Sequence, residues 1–188
     1  LAQARTWLQA KGLEIQSGFR AVAGDASFRR YFRLRANGQS GILMDAPPPV
    51  EDTRPFVDVT GRLRAAGLHA PEIQQADVES GFILLEDLGD DLYRGFLDEN
   101  SADDHFPALF DVLVRMVRNV DADGLPKYDT QLLRFEMDLF PNWYLDHHRP
   151  GMSRTGFDQH WDDFCDQVIA TALEQPTCFV HRDFHSCN

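Results

Sequence analysis

An aspartate and an asparagine five residues apart form a pair that could transfer a phosphoryl group. They belong to the run His181-Arg182-Asp183-Phe184-His185-Ser186-Cys187-Asn188, which has the pattern H-x-D-x-x-x-x-N. In a catalytic loop of this pattern the aspartate accepts the proton of an attacking hydroxyl, and the asparagine turns back to hold Mg²⁺ on the nucleotide phosphates. The spacing therefore predicts Asp183 as the catalytic base and Asn188 as a magnesium ligand.

The first half of the sequence predicts a helix followed by strands, one further helix and two more strands. Apolar residues at helical spacing predict helices over 2–11 and 54–66. Alternating or continuous apolar residues predict strands over 18–23, 30–35, 42–44, 72–77 and 82–86. The turn cluster Gly24-Asp25-Ala26-Ser27 separates the first two strands, and residues 38–41 are predicted to form the next turn.

The second half of the sequence predicts mainly helices. A polar segment, 86–91, leads into a helix that Ser101 would cap, with Asp104 as its capping-box partner. A second helical stretch covers 130–147 with a kink near Pro141, and a third runs over 157–173. The apolar stripes of these helices, rich in Phe, are predicted to lie in the core. A short strand, Cys178-Phe179-Val180, would deliver the Asp183 motif.

These elements predict an α+β fold with two lobes. Residues 1–88 would form an N-terminal nucleotide-binding lobe of helix and antiparallel sheet, and residues 89–188 a partial helical lobe. The first residue is Leu1, and no residue after Asn188 is present to supply a further metal-binding aspartate. We therefore expect a chain that is truncated after the catalytic loop and that, by itself, turns over ATP poorly or not at all.

Composition predicts a cytoplasmic protein that binds neither nucleic acid nor membranes. The formal net charge is −12, whereas phosphate backbones require clustered Lys and Arg. No apolar run is long enough to cross a bilayer, and no charged-then-apolar leader is present at the start. The 3 cysteines are odd in number and lack metal-ligand spacing, which indicates free thiols in a reducing compartment.

The order of elements, together with the Asp183 motif, resembles the aminoglycoside phosphotransferase and choline kinase family, which has a protein-kinase-like fold. Three further segments are similar to bacterial anomeric sugar kinases of cell-wall recycling: residues 24–34 (GDASFRRYFRL), 44–48 (MDAPP) and 84–89 (LLEDLG). The resemblance implies ATP and Mg²⁺ as cofactors. It also implies a sugar-like acceptor, the anomeric hydroxyl of N-acetylmuramate or N-acetylglucosamine.

The resemblance also implies where the nucleotide binds. The loop that begins at Gly24 occupies the position of the phosphate-covering loop of kinases, so its candidate contacts are Gly24, Ser27, Phe28 and Arg29. The alternative is an ordinary hairpin turn. If segment 86–91 is the connection between two lobes, the backbone from Glu86 to Leu88 would bind adenine; otherwise it is an acidic linker. The candidate acceptor contacts are His185 and Glu136.

One departure from the kinase pattern concerns the third strand. Protein kinases carry a lysine there that binds the α- and β-phosphates, but this strand reads Ile42-Leu43-Met44, and the only lysines are Lys11 and Lys127. Arg33 and Arg35 on the neighbouring strand are candidate substitutes, although solvation at the surface is the simpler role for both.

The sequence thus predicts an ATP-dependent phosphotransferase that acts on an N-acetylated amino sugar. Two alternatives stay open at this point. The acidic composition would suit a cationic acceptor, an aminoglycoside or amino alcohol. The missing lysine and the missing second magnesium ligand would suit a non-catalytic nucleotide-binding module.

Overall fold

Five antiparallel strands form one sheet in a computed structural model that describes residues 1–22 and 28–187. The strands are, in chain order, β1 (Arg20–Ala21), β2 (Arg30–Ala36), β3 (Gln39–Asp45), β4 (Ile73–Asp77) and β5 (Phe82–Glu86). Their spatial order is β1-β2-β3-β5-β4, and every neighbouring pair is antiparallel. The predicted α+β class and the antiparallel sheet are therefore confirmed, with β1 shorter than expected.

The turn between β2 and β3 lies earlier than the sequence analysis predicted. Ala36 pairs with Gln39, so the loop consists of Asn37 and Gly38, which have φ angles of 49° and 82°. Two-residue hairpins favour Asn-Gly because both positions require a positive φ. The predicted turn at 38–41 is wrong for this reason. Gly41 instead lies inside β3, where an added Cβ would approach Leu84 to 3.2 Å.

Both faces of the sheet are covered by helices. Helix α1 (Ala2–Ala10) packs Ala4 and Leu8 against one face, in a cluster with Leu34, Leu43 and Leu84. Helix α2 (Arg54–Ala65) contributes Phe56 and Val57 to the other face, beside Met44, Ile83 and Leu85. These helices agree with the predictions for 2–11 and 54–66, and together they close the core around β3 and β5.

The remaining chain is helical, as predicted. The helices are α3 (Ala102–Asn119), α4 (Thr130–Leu139), the single turn α5 (Asp146–His148) and α6 (Phe157–Leu173). A π-helical segment, Phe140–Leu145, joins α4 to α5 and carries Pro141, the residue near which a kink was predicted. None of the helices in the described ranges combines the length and apolar character needed to cross a bilayer.

Two local predictions about the helical half are wrong. Ser101 precedes α3 but makes no capping hydrogen bond to it, because its hydroxyl donates to the carbonyl of Phe96 at 2.6 Å. Asp98 instead accepts hydrogen bonds from the backbone N–H groups of Asn100 and Ser101. Residues 178–180 are not a strand; a β-strand requires a hydrogen-bonding neighbour, and none of the strands in the described part of the chain pairs with this segment.

The predicted core positions on α3 and α6 are only partly buried. On α3 the buried residue is Met116, and on α6 they are Cys165 and Ile169. Phe110 and Phe164 are 60% and 52% exposed, although both belong to the apolar stripes assigned to the core. The helical periodicity was correct, but it indicates only which face is apolar and not whether another element covers it.

The chain divides into two compact units. One contains Leu1–Asp121 together with Val180–Asn188, and the other contains Ala122–Phe179. The sheet, helices α1 to α3 and the Asp183 motif therefore belong to one unit, while α4 to α6 belong to the other. The predicted lobes, 1–88 and 89–188, stay a prediction.

Candidate active site

Asp183 lies on an irregular loop, and its side chain is 73% exposed. The preceding residue, Arg182, has a φ of 71°, a left-handed conformation that is uncommon for residues other than glycine. Such local strain is frequent at functional sites. The loop thus presents the predicted base to the surface of its unit.

The side chain of His185 lies beside that of Asp183. Its Nε2 is 3.4 Å from Oδ1 of Asp183, and its Nδ1 accepts a hydrogen bond from the backbone N–H of Cys187 at 3.1 Å. An accepting Nδ1 carries no proton, so the neutral imidazole carries its proton on Nε2, on the side of Asp183. His185, predicted as a substrate contact, therefore faces the candidate base.

Two further contacts hold this loop. The rings of His181 and Phe184 meet edge to face, with centroids 5.7 Å apart. The backbone N–H of Arg94, in the 3₁₀ turn Tyr93–Gly95, donates to the carbonyl of Ser186 at 2.9 Å. The contact of Arg94 was not predictable from the sequence, because a backbone hydrogen bond between residues so distant in sequence has no signature in residue type.

The predicted nucleotide loop is described only at its C-terminal side. Gly24 and Ser27 lie outside the described residues. The N–H of Phe28 donates to a carboxylate oxygen of Glu51 at 3.0 Å, and Arg29 lies 3.8 Å from the other oxygen of Glu51. Phe28 itself is 71% exposed. Glu51, which the sequence analysis did not single out, therefore holds the end of this loop.

Arg30 begins β2 immediately after that loop. Its Nη2 donates to Oδ2 of Asp45 at 2.6 Å, across the β2–β3 ladder. The Asp45 side chain is 6% exposed, whereas that of Arg30 is 59% exposed. The pair therefore fixes one end of the guanidinium and leaves much of Arg30 at the surface.

The predicted adenine segment continues directly from β5. The N–H of Glu86 donates to the carbonyl of Glu72 at 2.8 Å, and the Glu86 carboxylate accepts from the N–H of Glu72 at 3.0 Å. Its N–H is thus engaged, and a nucleotide contact at Glu86 would have to use its carbonyl. Leu88 is 50% exposed. Both residues belong to the same compact unit as Asp183.

Arg33 does not have the solvated role that the sequence analysis preferred. Its side chain is 15% exposed and its guanidinium donates to Asp90 at 2.6 Å and to Asp87 at 2.8 Å. These carboxylates raise the pKa of Arg33, with the hydrogen bond to Asp90 as the largest cause. Arg35, two residues further along β2, donates to the carbonyl of Gly38 at 2.8 Å.

Glu136, the other predicted acceptor contact, lies on α4 in the second unit and accepts a hydrogen bond from the hydroxyl of Tyr128. Two residues further along α4, Asp138 accepts hydrogen bonds from Arg134 and from the indole N–H of Trp161, both at 2.8 Å. The hydrogen bond from Arg134 is the main cause that lowers the pKa of Asp138. Both carboxylates are therefore engaged within their own unit.

The chemistry of Asp183 is compatible with a magnesium ion nearby. Carboxylate and amide oxygens are hard ligands of the kind Mg²⁺ prefers, and Asp183 carries an exposed carboxylate. Asn188, the predicted ligand, lies outside the described residues. Within 1–22 and 28–187, no three His, Cys, Asp or Glu side chains gather as a metal-binding group.

Comparison with known proteins identifies relatives over nearly the whole chain. The profile of the phosphotransferase enzyme family matches residues 18–188. An N-acetylmuramate/N-acetylglucosamine kinase from Pseudomonas aeruginosa is 48% identical over 165 residues, which cover 87% of this chain and 48% of the relative. Proteins of the same name from Pseudomonas putida and Neisseria meningitidis are 41% and 31% identical, over 91% and 96% of this chain. The chain spans about half the length of these curated relatives, 48% to 55%.

Proposed function

The chain belongs to the phosphotransferase enzyme family, and we propose that the protein it represents transfers the γ-phosphate of ATP to the anomeric hydroxyl of an N-acetylated amino sugar. The family supports the reaction class. The names of the relatives from Pseudomonas and Neisseria support the acceptor, N-acetylmuramate or N-acetylglucosamine. Those names favour an amino sugar over the aminoglycoside or amino alcohol that the acidic composition would also suit.

The observation that carries the proposal is the arrangement around Asp183. The side chain of Asp183 is 73% exposed, and the imidazole Nε2 of His185 lies 3.4 Å from its carboxylate. The backbone contacts of Ser186 and Cys187 hold the same loop. A carboxylate placed in this way can accept a hydrogen bond from an acceptor hydroxyl and orient its oxygen for in-line attack.

In this step the sugar hydroxyl loses its proton and receives the phosphoryl group. Asp183 receives the proton of the sugar hydroxyl as the oxygen forms its bond to the γ-phosphorus, and the bond to the β,γ-bridging oxygen breaks to release ADP. His185 faces Asp183 through Nε2 and orients the carboxylate. Asn188 would hold magnesium, which would supply positive charge to the phosphate oxygens.

We expect the nucleotide to contact the two segments predicted for it. The phosphates would meet the loop around Gly24, Ser27, Phe28 and Arg29, and the adenine would meet the backbone from Glu86 to Leu88. Arg30 and Arg29 bring guanidinium groups to the end of that loop, where Asp45 and Glu51 hold them. Their forked donors suit phosphate oxygens, which matters because the third strand carries no lysine.

The test is sugar-dependent ADP release by the full-length gene product, with N-acetylmuramate, N-acetylglucosamine and kanamycin offered separately. We expect turnover with the amino sugars and a loss in kcat of at least about 100-fold in Asp183→Asn, because the amide cannot accept the proton. Asp111→Asn, at an exposed position on α3, is the matched control and should keep full activity.

Three results would contradict the proposal. Turnover with kanamycin alone would assign an aminoglycoside acceptor. An Asp183→Asn variant as active as the Asp111→Asn control would remove Asp183 from the reaction. Nucleotide binding without turnover on any acceptor would favour the non-catalytic module.

A further inference from the structure

Arg33 connects β2 to the segment that follows β5. Its Nη1 donates to Asp90 at 2.6 Å, and its Nη2 donates to Asp87 at 2.8 Å and to the carbonyl of Gly89 at 3.2 Å. Its Nε lies 2.7 Å from the second oxygen of Asp87, a distance that places the charges in contact. One side chain thus touches three of the four residues that follow Glu86.

Asp87 is the centre of this arrangement. It accepts hydrogen bonds from Arg33, from the hydroxyl of Ser40 on β3 and from the N–H of Gly89 at 3.1 Å. Its side chain is 10% exposed. Burial pushes the pKa of Asp87 upward, but the hydrogen bonds from Ser40 and Arg33 outweigh this effect and lower it. The carboxylate therefore stays charged, with donors from two strands and from its own turn.

These contacts argue against a role for Arg33 on the nucleotide phosphates. The guanidinium already donates to two carboxylates and one carbonyl, and the two negative charges exceed its single positive charge. An arginine that recognises phosphate needs a forked face directed at the ligand. All of the hydrogen bonds named here go to residues 87–90, which overlap and continue the segment from Glu86 to Leu88 that our proposed function assigns to adenine.

We propose that Arg33 and Asp87 are positioning residues for the nucleotide base. They bond the segment after β5 to strands β2 and β3, and so set where the backbone from Glu86 to Leu88 presents its hydrogen-bonding groups. This inference rests on the proposed function, since it names the device that prepares the adenine site. A backbone displaced by about 1 Å at such a site is enough to cost roughly 100-fold in affinity or rate.

The test compares Arg33→Gln with Arg35→Gln in the full-length gene product. Both arginines lie on β2, but Arg35 bonds to the carbonyl of Gly38, in the hairpin turn, and not to the segment after β5. We expect Arg33→Gln to raise the KM for ATP roughly tenfold or more, with kcat and the KM for the sugar changed less than about threefold. Arg35→Gln should leave all three close to the parent values.

Two milder variants keep the inference testable if Arg33→Gln folds poorly. Ser40→Ala removes one donor to Asp87 and should raise the KM for ATP by a smaller factor. Arg33→Lys keeps the charge but loses the fork, so it should recover only part of the affinity. Amide hydrogen exchange over 86–91 provides a readout that needs no turnover, and it should become faster in Arg33→Gln and not in Arg35→Gln.

The outcomes separate this inference from the function on which it rests. Parent protein that neither binds ATP nor turns over would overturn the proposed function and, with it, the adenine site. Normal turnover together with an unchanged KM for ATP in a folded Arg33→Gln variant would overturn the positioning role alone. If kcat fell and both KM values rose by similar factors, Arg33 would act by stabilising the fold in general and not by positioning the adenine segment.

Discussion

The sheet and the helices of this protein bury their apolar residues to very different degrees. In the sheet, Leu43 and Ile83 are 0% exposed and Leu34 is 2% exposed. On the helices that follow, Phe110 and Phe164 are 60% and 52% exposed, although their spacing is as regular. The sheet has helices on both faces, α1 on one and α2 on the other.

Apolar periodicity and burial are therefore separate properties. A strand forms its hydrogen bonds with distant segments, and this pairing also brings the apolar side chains of the neighbouring strands into contact with its own. An amphipathic helix satisfies its own backbone and can expose an apolar stripe without losing its hydrogen bonds. The stability of the described chain should therefore depend on β3 and β5 far more than on the aromatic residues of α3 and α6.

The largest effect on the free energy of unfolding is expected from a substitution in the turn before β5. Gly81 precedes β5 with a φ of 73°, and an added Cβ would lie 1.9 Å from the carbonyl oxygen of Ala46. That carbonyl belongs to the backbone and cannot move aside cheaply. Gly81→Ala should lower the free energy of unfolding by more than about 3 kcal/mol, because left-handed strain and the clash add together.

Gly67 is the matched control, since its φ is 75° but nothing lies within 4 Å of the added Cβ. Gly67→Ala should cost about 1 kcal/mol, the strain alone. Urea unfolding measures both variants. Equal losses would mean that Gly81 is needed for its conformation and not for the close approach to Ala46.

The second prediction compares a core residue with a stripe residue directly. Leu43→Ala should lower the free energy of unfolding by about 3 kcal/mol, since it opens a cavity between the sheet and α1. Phe110→Ala should cost less than about 1 kcal/mol in this chain, because the ring is largely solvated already. A loss at Phe110 as large as that at Leu43 would break the contrast between the two regions.

The smallest expected effect is the pH dependence of the stability that ion pairs contribute in each of the two units. Arg33 is held between Asp87 and Asp90 near the sheet, and Arg134 between Asp138 and Asp162 in the helical unit. The pKa of Asp87 is lowered by its hydrogen bonds, with burial opposing them, and the pKa values of Asp90 and Asp138 are lowered mainly by the arginine that donates to each. In the unfolded chain these carboxylates would titrate near their ordinary pKa of about 3.9.

A lowered pKa means that the folded chain binds fewer protons than the unfolded chain near pH 4. The contribution of these carboxylates to stability is then complete above the ordinary pKa and is lost as the pH falls toward the folded value. The gap in urea midpoint between the parent and Arg33→Gln, or Arg134→Gln, should narrow from pH 6 to pH 3. A gap that widens on acidification would contradict the directions of these pKa shifts.

Most of the architecture followed from local patterns. The helices at 2–11, 54–66 and 157–173 and the strands at 30–35 and 82–86 were predictable because their apolar spacing spans several turns or pleats. The predictions of local structure were wrong where a single contact determines the conformation. The Ser101 hydroxyl bonds to Phe96 instead of capping α3, and the segment at 178–180 has no strand partner among the described residues.

The candidate site divides in the same way. Asp183 and Asn188 were predicted from one motif, because catalytic loops combine fixed residue types at fixed spacing, and His185 was predicted from its place within that motif. The contacts of Glu51 with Phe28, of Arg94 with Ser186 and of Arg33 with Asp87 were not predictable. Each joins residues far apart in sequence, and residue type alone does not indicate which of many carboxylates an arginine will meet.

A short pattern of residue types was enough to indicate the family and to predict the reaction class and the role of one loop. The fold was needed to show that Arg33 is bound to the segment after β5, that His185 faces Asp183, and that the aromatic stripes of α3 and α6 are largely exposed. The physical reason is distance along the chain. Local spacing specifies helices, strands and motifs, whereas burial and ion pairing depend on which remote segments the fold brings together.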